Sequence, residues 1–287
     1  MTEPPRVTIL TDFGTVDGYA AAMAGVIAAV APPAHIEHAA HDIPPGDVFT
    51  AALTLSRYAF LYPEGTVHLV VVDPGVGTER RALAAAIDGR FFVAPDNGVL
   101  TRVLDGRQDA ILVAIGEPDG IDVSATFHGR DLFAPTAARL VRGEPLSDLG
   151  PGVTDPVLLP LPSPERTADG VRGEMIQVDR FGNLVTNVPA AWLRPEPGPD
   201  GPELGAQEPG AGPAAGRARR VERGGARPVV RVEDRVVGPV RRTYGDVVSG
   251  AVLALVGSLG LLEVSVRDGS AAARLDAGRG TRVTVTL

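Results

Sequence analysis

The chain has 287 residues, enough for one large domain or two modest ones, and an apolar fraction ordinary for a globular protein. It has no cysteine, which excludes disulfides, zinc–thiolate sites and cysteine nucleophiles, and no lysine, which excludes a Schiff base or a phosphate-loop lysine. A net charge of −8 argues against a nucleic-acid partner, no apolar run reaches a membrane span and no secretory leader is visible, so the expected location is the cytoplasm.

Val7 to Leu10 reads as a short strand running into Asp12-Phe13-Gly14. Residues 17–30 follow as a helix with Tyr19, Met23, Val26, Ile27 and Val30 on one face, stopped by Pro32-Pro33. His35, His38, His41 and Asp42 have a spacing that invites a metal reading. The flanking prolines favour an extended segment ending a strand instead, and no metal is expected. Phe49 to Tyr62 reads as a second helix, with Leu53, Tyr58 and Leu61 on its inner side. Val67 to Val72 is a buried strand closed by Asp73-Pro74-Gly75. Leu83 to Ile87, Asp88-Gly89 and Phe91 to Val93 form a hairpin with a primed turn. Ile111 to Ile115 is a further strand and Asp131 to Val141 a helix. This alternation predicts an α/β domain, a mostly parallel sheet with flanking helices.

The second part changes period. Glu174 to Val178, Val229 to Val232, Leu262 to Val266 and Arg282 to Leu287 are short and rich in β-branched residues, which suggests a smaller, mainly antiparallel, barrel-like β domain. Val252 to Val256 fits helix or strand, and the bracketing Gly250 and Gly257 favour strand. The proline-rich stretch Leu158 to Pro164 marks the boundary, giving domains 1–160 and 161–287. Residues 195–228 are dense in Gly, Pro and Ala and read as a loosely held insertion, with Arg217, Arg219, Arg220, Arg223 and Arg227 solvated in it.

Several polar residues sit where chemistry is placed. Asp12 follows the first strand, and its carboxylate can accept two hydrogen bonds from a diol, although a turn or cap aspartate fits as well. Asp73 and Arg80 lie at the carboxyl end of a strand, where open α/β sheets bind ligands. By residue chemistry alone such a pair is more often a structural ion pair than catalytic, and a lone histidine such as His128 is usually packed or capping. In Asp179-Arg-Phe-Gly-Asn183, Asp179 could pair with an ammonium while Phe181 and Asn183 meet a base, or the segment is a hairpin turn. Gly75-Val76-Gly77 lacks the third glycine of a dinucleotide fingerprint, and no serine nucleophile elbow is present.

Thr11-Asp12-Phe13-Gly14, Asp73-Pro-Gly-Val-Gly-Thr-Glu-Arg80, Phe127-His128-Gly129-Arg130-Asp131 and the stretch from Gly257 to Val264 occur in that order. Together they resemble the S-adenosyl-L-methionine hydroxide adenosyltransferases, relatives of the fluorinase and chlorinase. The resemblance spans the chain apart from about 194–228. It implies hydrolysis of S-adenosyl-L-methionine to adenosine and L-methionine by attack on the ribose C5′, with no cofactor. It also implies that Asp73, Arg80 and His128 act as a triad on one water, and that Asp12 holds the ribose. Asp179 would meet the methionine end and Asn183, with Phe181, the adenine. Ser258, Glu263 and Val266, the last through its backbone, match further substrate contacts. Asp17 and Tyr19, entering the first helix, join this group. A guanidinium beside His128 would favour a neutral ring able to accept the proton of water. A homotrimer is implied, with the site between one subunit's N-terminal domain and its neighbour's C-terminal domain.

Two rivals follow. A halogenase acts on the same substrate, but where the fluorinase has tyrosine, serine and threonine this chain has Asp73, Gly129 and Val76. A carboxylate at that point would repel a halide, whereas Gly129 alone decides little, since the chlorinase shares it. A non-catalytic adenosine or S-adenosyl-L-methionine sensor would keep Asp12 and Asn183 without needing the triad.

Overall fold

The computed structural model describes residues 4–116, 122–193 and 228–287. Contacts divide the described chain between Leu159 and Pro160 into two compact units. The insertion expected at 195–228, Pro228 apart, lies outside the described residues.

The first unit runs β1 (Arg6–Thr11), α1 (Tyr19–Val30), β2 (His35–Ala40), α2 (Val48–Tyr58), β3 (Val67–Val71), β4 (Ala82–Ile87), β5 (Arg90–Pro95), α3 (Thr101–Leu104), β6 (Ile111–Ala114) and α4 (Ala134–Val141). Its sheet has the order β2-β1-β3-β5-β4-β6. The first four strands are parallel, while β4 is antiparallel to both β5 and β6.

Strand alternation sorts the core into two layers. Val7, Ile9, Val67, Leu69 and Val71 face α1 and α4, where Met23, Ile27, Phe133 and Ala137 pack. Leu10, Val70, Val72 and Leu83 face α2 and α3, against Ala51, Leu55, Val99 and Val103. Asp47 caps α2, its Oδ1 accepting from Thr50 N–H at 3.0 Å. The β4–β5 turn has Asp88 and Gly89 at φ 46° and 74°, as a type I′ hairpin requires.

Three details differ from expectation. Ala20, not Tyr19, turns inward with Met23 and Ile27, and Tyr19 is half exposed. α2 ends at Tyr58 and a 3₁₀ turn over Ala59–Leu61 swings Leu61 out to solvent. The helix expected from Asp131 opens with a π turn at Gly129–Phe133 before becoming α-helical.

The second unit comprises β7 (Glu165–Thr167), β8 (Gly170–Val178), β9 (Leu184–Pro189), β10 (Val229–Val232), β11 (Arg235–Arg241), β12 (Val252–Val256), β13 (Leu261–Val266), α5 (Ala271–Leu275) and β14 (Arg282–Thr286). Following the order β14-β10-β11-β12-β13-β9-β8, the pairing of β14 back onto β8 closes a seven-stranded barrel, with β7 as an extra edge strand. Only the β11–β12 pair is parallel among these neighbours. Inward residues such as Val171, Met175, Leu184, Val230, Leu262, Val264 and Val283 fill it. No helix among the described residues is long and apolar enough to cross a membrane.

The first unit also buries an ionisable group. His68 on β3 is fully buried, its Nδ1 2.8 Å from Thr8 Oγ1 and its ring among Tyr58, Tyr62 and Phe92. Burial, aided by the nearby Arg90, pushes its pKa from 6.5 down to about 4. Between those values the unfolded chain binds a proton that the folded chain refuses, so stability is lost as pH falls through that window, by about 3 kcal/mol in all. Urea unfolding at pH 7 and pH 4.5 should show the loss. His68→Asn, which cannot titrate, should lose less over the same interval whatever its stability at pH 7. An equal loss would remove His68 as the cause.

Candidate active site

The winding of the sheet creates the site. From β1 the chain crosses through α1 on one face to β2, then returns through α2 on the other face to β3, on the opposite side of β1. β1 and β3 are adjacent and parallel, with Thr11 opposite Val71. Such a reversal opens a crevice at the carboxyl ends of the two strands. Asp12 follows β1 directly, and Asp73 lies just past β3.

Asp73 does not stand as a bare charge. Arg80 Nε donates to both carboxylate oxygens at 3.0 Å, and Nη2 donates to Oδ2. The two side chains are 4% and 10% exposed. The turn between them has Val76 N–H donating to the Asp73 carbonyl and Thr78 N–H to that of Gly75. Gly77 sits at φ 77°, where a Cβ would come 2.5 Å from the Ala125 carbonyl oxygen. This close approach sets the turn against the segment that leads to His128.

Arg80 Nη2 also lies 2.9 Å from His128 Nδ1. A guanidinium has no acceptor, so Nδ1 must accept, and the hydrogen-bond network assigns the neutral ring's hydrogen to Nε2. The lone pair that a base would use is therefore engaged by Arg80, and the remaining ring nitrogen is a donor. Phe133 packs beneath, its ring centroid 5.2 Å from the Arg80 guanidinium carbon. Gly129 is buried, and a Cβ there would lie 3.1 Å from Met23 Sδ and 3.3 Å from the Phe127 ring.

Asp12 has Oδ2 accepting from Gly46 N–H at 2.8 Å. Gly46 in turn lies under Pro74, whose Cβ is 3.6 Å from where a Gly46 side chain would begin, so Gly46 bridges the two loops. Phe13, Tyr19 and Phe127 meet edge to face, with centroids 5.2 to 6.1 Å apart. Asp17 is exposed.

The remaining candidates lie in the second unit. Asp179 organises its own turn: Oδ1 accepts from the N–H groups of Phe181 and Asn183, both at 2.8 Å, and Oδ2 from Asn183 Nδ2 at 2.9 Å. Asn183 is buried and Phe181 is 77% exposed. Glu263 is buried, its Oε1 accepting from Tyr244 Oη at 2.7 Å and Ser265 Oγ at 2.8 Å. Ser258 is exposed and Val266 buried. A cavity of about 730 Å³ near the β7–β8 hairpin, lined by residues such as Arg166, Asp169 and Leu287, contains none of the candidates. Among the described residues no group of three or more His, Cys, Asp or Glu is placed to hold a metal, and His38 and His41 bond to each other. Tyr244 and Ser265 were not singled out in the sequence. Only their partnership with a buried acid marks them, and sequence does not show that.

The chain matches the models of the SAM hydroxide adenosyltransferase N-terminal domain over residues 7–150 and of its C-terminal domain over 215–284. The chain belongs to this family. The "(R)-S-adenosyl-L-methionine hydrolase" of Salinispora tropica is 40% identical over 291 residues, covering 100% of this chain and 99% of its own. The protein of the same name from Thermus thermophilus is 40% identical over 96% of this chain and 98% of its own. A fluorinase from Actinoplanes is 28% identical over 64% of this chain and 72% of its own. A solved structure of an uncharacterised conserved protein from Thermotoga maritima superposes with a TM-score of 0.80 at 32% identity, covering 98% of this chain and all of its own.

The Asp73–Arg80 pair is also a stability element. Arg80→Met would strand a buried carboxylate and should cost about 3–5 kcal/mol of unfolding free energy in urea. Adding Asp73→Asn should restore part of that loss. An Arg80→Met variant as stable as the parent would mean that the pair is not buried in solution.

Proposed function

We propose that the chain hydrolyses S-adenosyl-L-methionine to adenosine and L-methionine. The observation that carries this reading is the Asp73–Arg80–His128 cluster at the switch point of the sheet. The full-length similarity to proteins named as (R)-S-adenosyl-L-methionine hydrolases supports it. An oxygen of water or hydroxide bonds to the ribose C5′ as the C5′–S bond breaks. The bonding pair stays on sulfur, so methionine leaves as a neutral thioether that needs no acid, and the water proton passes to solvent. No cofactor is needed, because the sulfonium already activates the carbon. The triad aims one oxygen in line with that bond. His128 contributes its Nε2–H to the incoming oxygen, favouring hydroxide character there.

Asp12, with Oδ2 fixed by Gly46, turns its other oxygen to the ribose diol. Asp17 and Tyr19 border that site. Asp179 and the Glu263 group receive the methionine end, while Phe181, Asn183 and Val266 border the adenine and Ser258 adds a polar contact. The exposed Phe181 and Tyr19 are available for an intersubunit contact, and the homotrimer in which one subunit's second unit completes a neighbour's site rests on the family resemblance.

Chromatography of products from S-adenosyl-L-methionine, with and without excess chloride or fluoride, tests the reading. Adenosine and methionine are expected under both conditions. A 5′-halogenated nucleoside as main product would favour the halogenase, and adenosine binding without turnover would favour the sensor.

The role of His128 has its own test. His128→Ala should lower kcat by about a hundredfold or more. His128→Gln, which returns an N–H donor near the Nε2 position, should recover about tenfold of that loss. Equal defects in the two variants would argue for a base in place of a donor.

A further inference from the structure

Three contacts tie the segment carrying Asp12 to the segment that follows β2. His41 Nδ1 lies 2.8 Å from Thr11 Oγ1, Gly14 N–H donates to the His41 carbonyl at 2.7 Å, and Gly46 N–H donates to Asp12 Oδ2 at 2.8 Å. Thr11 Oγ1 also accepts from Phe13 N–H at 3.2 Å, so one hydroxyl braces the residues on both sides of Asp12. The backbone of β1 is already paired with β2 and β3, so the strand does not need these side-chain bonds to form.

The imidazole is itself held. His41 Nε2 is 2.7 Å from His38 Nδ1, with ring centroids 4.9 Å apart. Two ring nitrogens at that distance share a single proton between them, which fixes the rotation of both rings. The strand pairing is built for this contact. The register of β1 on β2 shifts between Ile9 and Leu10, from Ile9 opposite His38 to Leu10 opposite Ala40, which brings His41 level with Thr11. Thr11 is fully buried and His41 nearly so.

We infer that His41 is a positioning residue, holding through Thr11 the Asp12 carboxylate that receives the ribose diol, with His38 locking its ring. The identity of the ligand rests on the proposed function, whereas the bracing of Asp12 does not. Loss of the His41 ring frees the Asp12 loop to sample orientations that miss the diol. The effect falls on binding more than on the chemical step.

The test compares His41→Leu with His41→Asn, whose amide can reach Thr11 from the Nδ1 position. Calorimetric titration with adenosine, steady-state hydrolysis of S-adenosyl-L-methionine and thermal melting are measured on the full chain. His41→Leu should weaken adenosine binding and raise KM by about tenfold, with kcat within about twofold of the parent. His41→Asn should bind adenosine within about threefold of the parent. If His41→Leu fails to fold, Thr11→Val carries the test, with the same tenfold loss expected. Unchanged adenosine affinity in His41→Leu or Thr11→Val overturns the inference, as does a loss in kcat at constant KM. A parent chain that binds adenosine but releases no methionine sinks the hydrolase reading and leaves the calorimetric test in force. A parent chain that binds no adenosine overturns both.

Discussion

A carboxylate whose side chain is only 4% exposed needs a charged partner, and the carboxyl end of β3 is arranged around that need. Arg80 must double back to Asp73 within seven residues, which requires the tight Pro74-Gly75 turn and the left-handed Gly77. Gly77 without a side chain admits the Ala125 carbonyl, and the segment so docked delivers His128 to Arg80 Nη2. The Phe133 ring gives the guanidinium an apolar floor. One ion pair thus orders two stretches of chain, 73–80 and 125–133, that are far apart in sequence. The same pair decides which nitrogen of His128 faces the crevice.

Much of this was legible in the sequence. The two-residue period of β1 and β3 and the Asp88-Gly89 turn predicted the sheet and its hairpin, because those signals are local. Asp73, Arg80 and His128 stood out through the motifs they share with a family, since nothing in their spacing alone separates a site from a structural pair. What stayed hidden depends on long-range pairing. β11 contains Gly238 and Pro239, which mask a strand, and β7 and β9 are short or close to turns. Barrel closure joins Arg282 to Glu174, more than a hundred residues apart, with no local trace. The contact of His41 with Thr11 depends on a one-residue register shift, and the histidine segment, read as extended and ending a strand, carries no local sign of it. Tyr19 turned outward because a small alanine next to it fills the space under α1, while Phe13 and Phe127 give the tyrosine ring a place at the surface.

In the second unit the alternatives for Asp179, turn former or ligand group, are compatible. Its two oxygens accept three N–H groups of the same loop, which pins Asn183 inside and sends Phe181 out into solvent. A loop held in this way has little backbone freedom left to lose on binding. Glu263 is treated similarly. Burial, then the bond to Glu263, pushes the Tyr244 hydroxyl up to about 12. Tyr244 therefore stays protonated near neutral pH and keeps donating to the buried acid. Both acids reach the unit's surface chemistry through a fixed set of donors.

The choice of nucleophile turns on hydration more than on repulsion. Because Arg80 neutralises Asp73, an incoming anion meets an ion pair, so bare like-charge repulsion is a weaker barrier than the sequence implied. A halide must instead be stripped of water, and that cost is recovered only if several donors converge on it. Arg80 Nε and Nη2 are committed to Asp73 and His128, which leaves Nη1 and the Nε2–H of His128 from the triad. Gly129 brings no hydroxyl. A side chain there would begin 3.1 Å from Met23 Sδ and 3.3 Å from the Phe127 ring, so a serine requires those two side chains to give by a few tenths of an ångström. On the proposed function water needs far less, because it can accept from His128 and release its proton to solvent as the C–O bond forms. The triad, with most of its side-chain donors already committed, on that reading favours the oxygen nucleophile by what it fails to offer a halide.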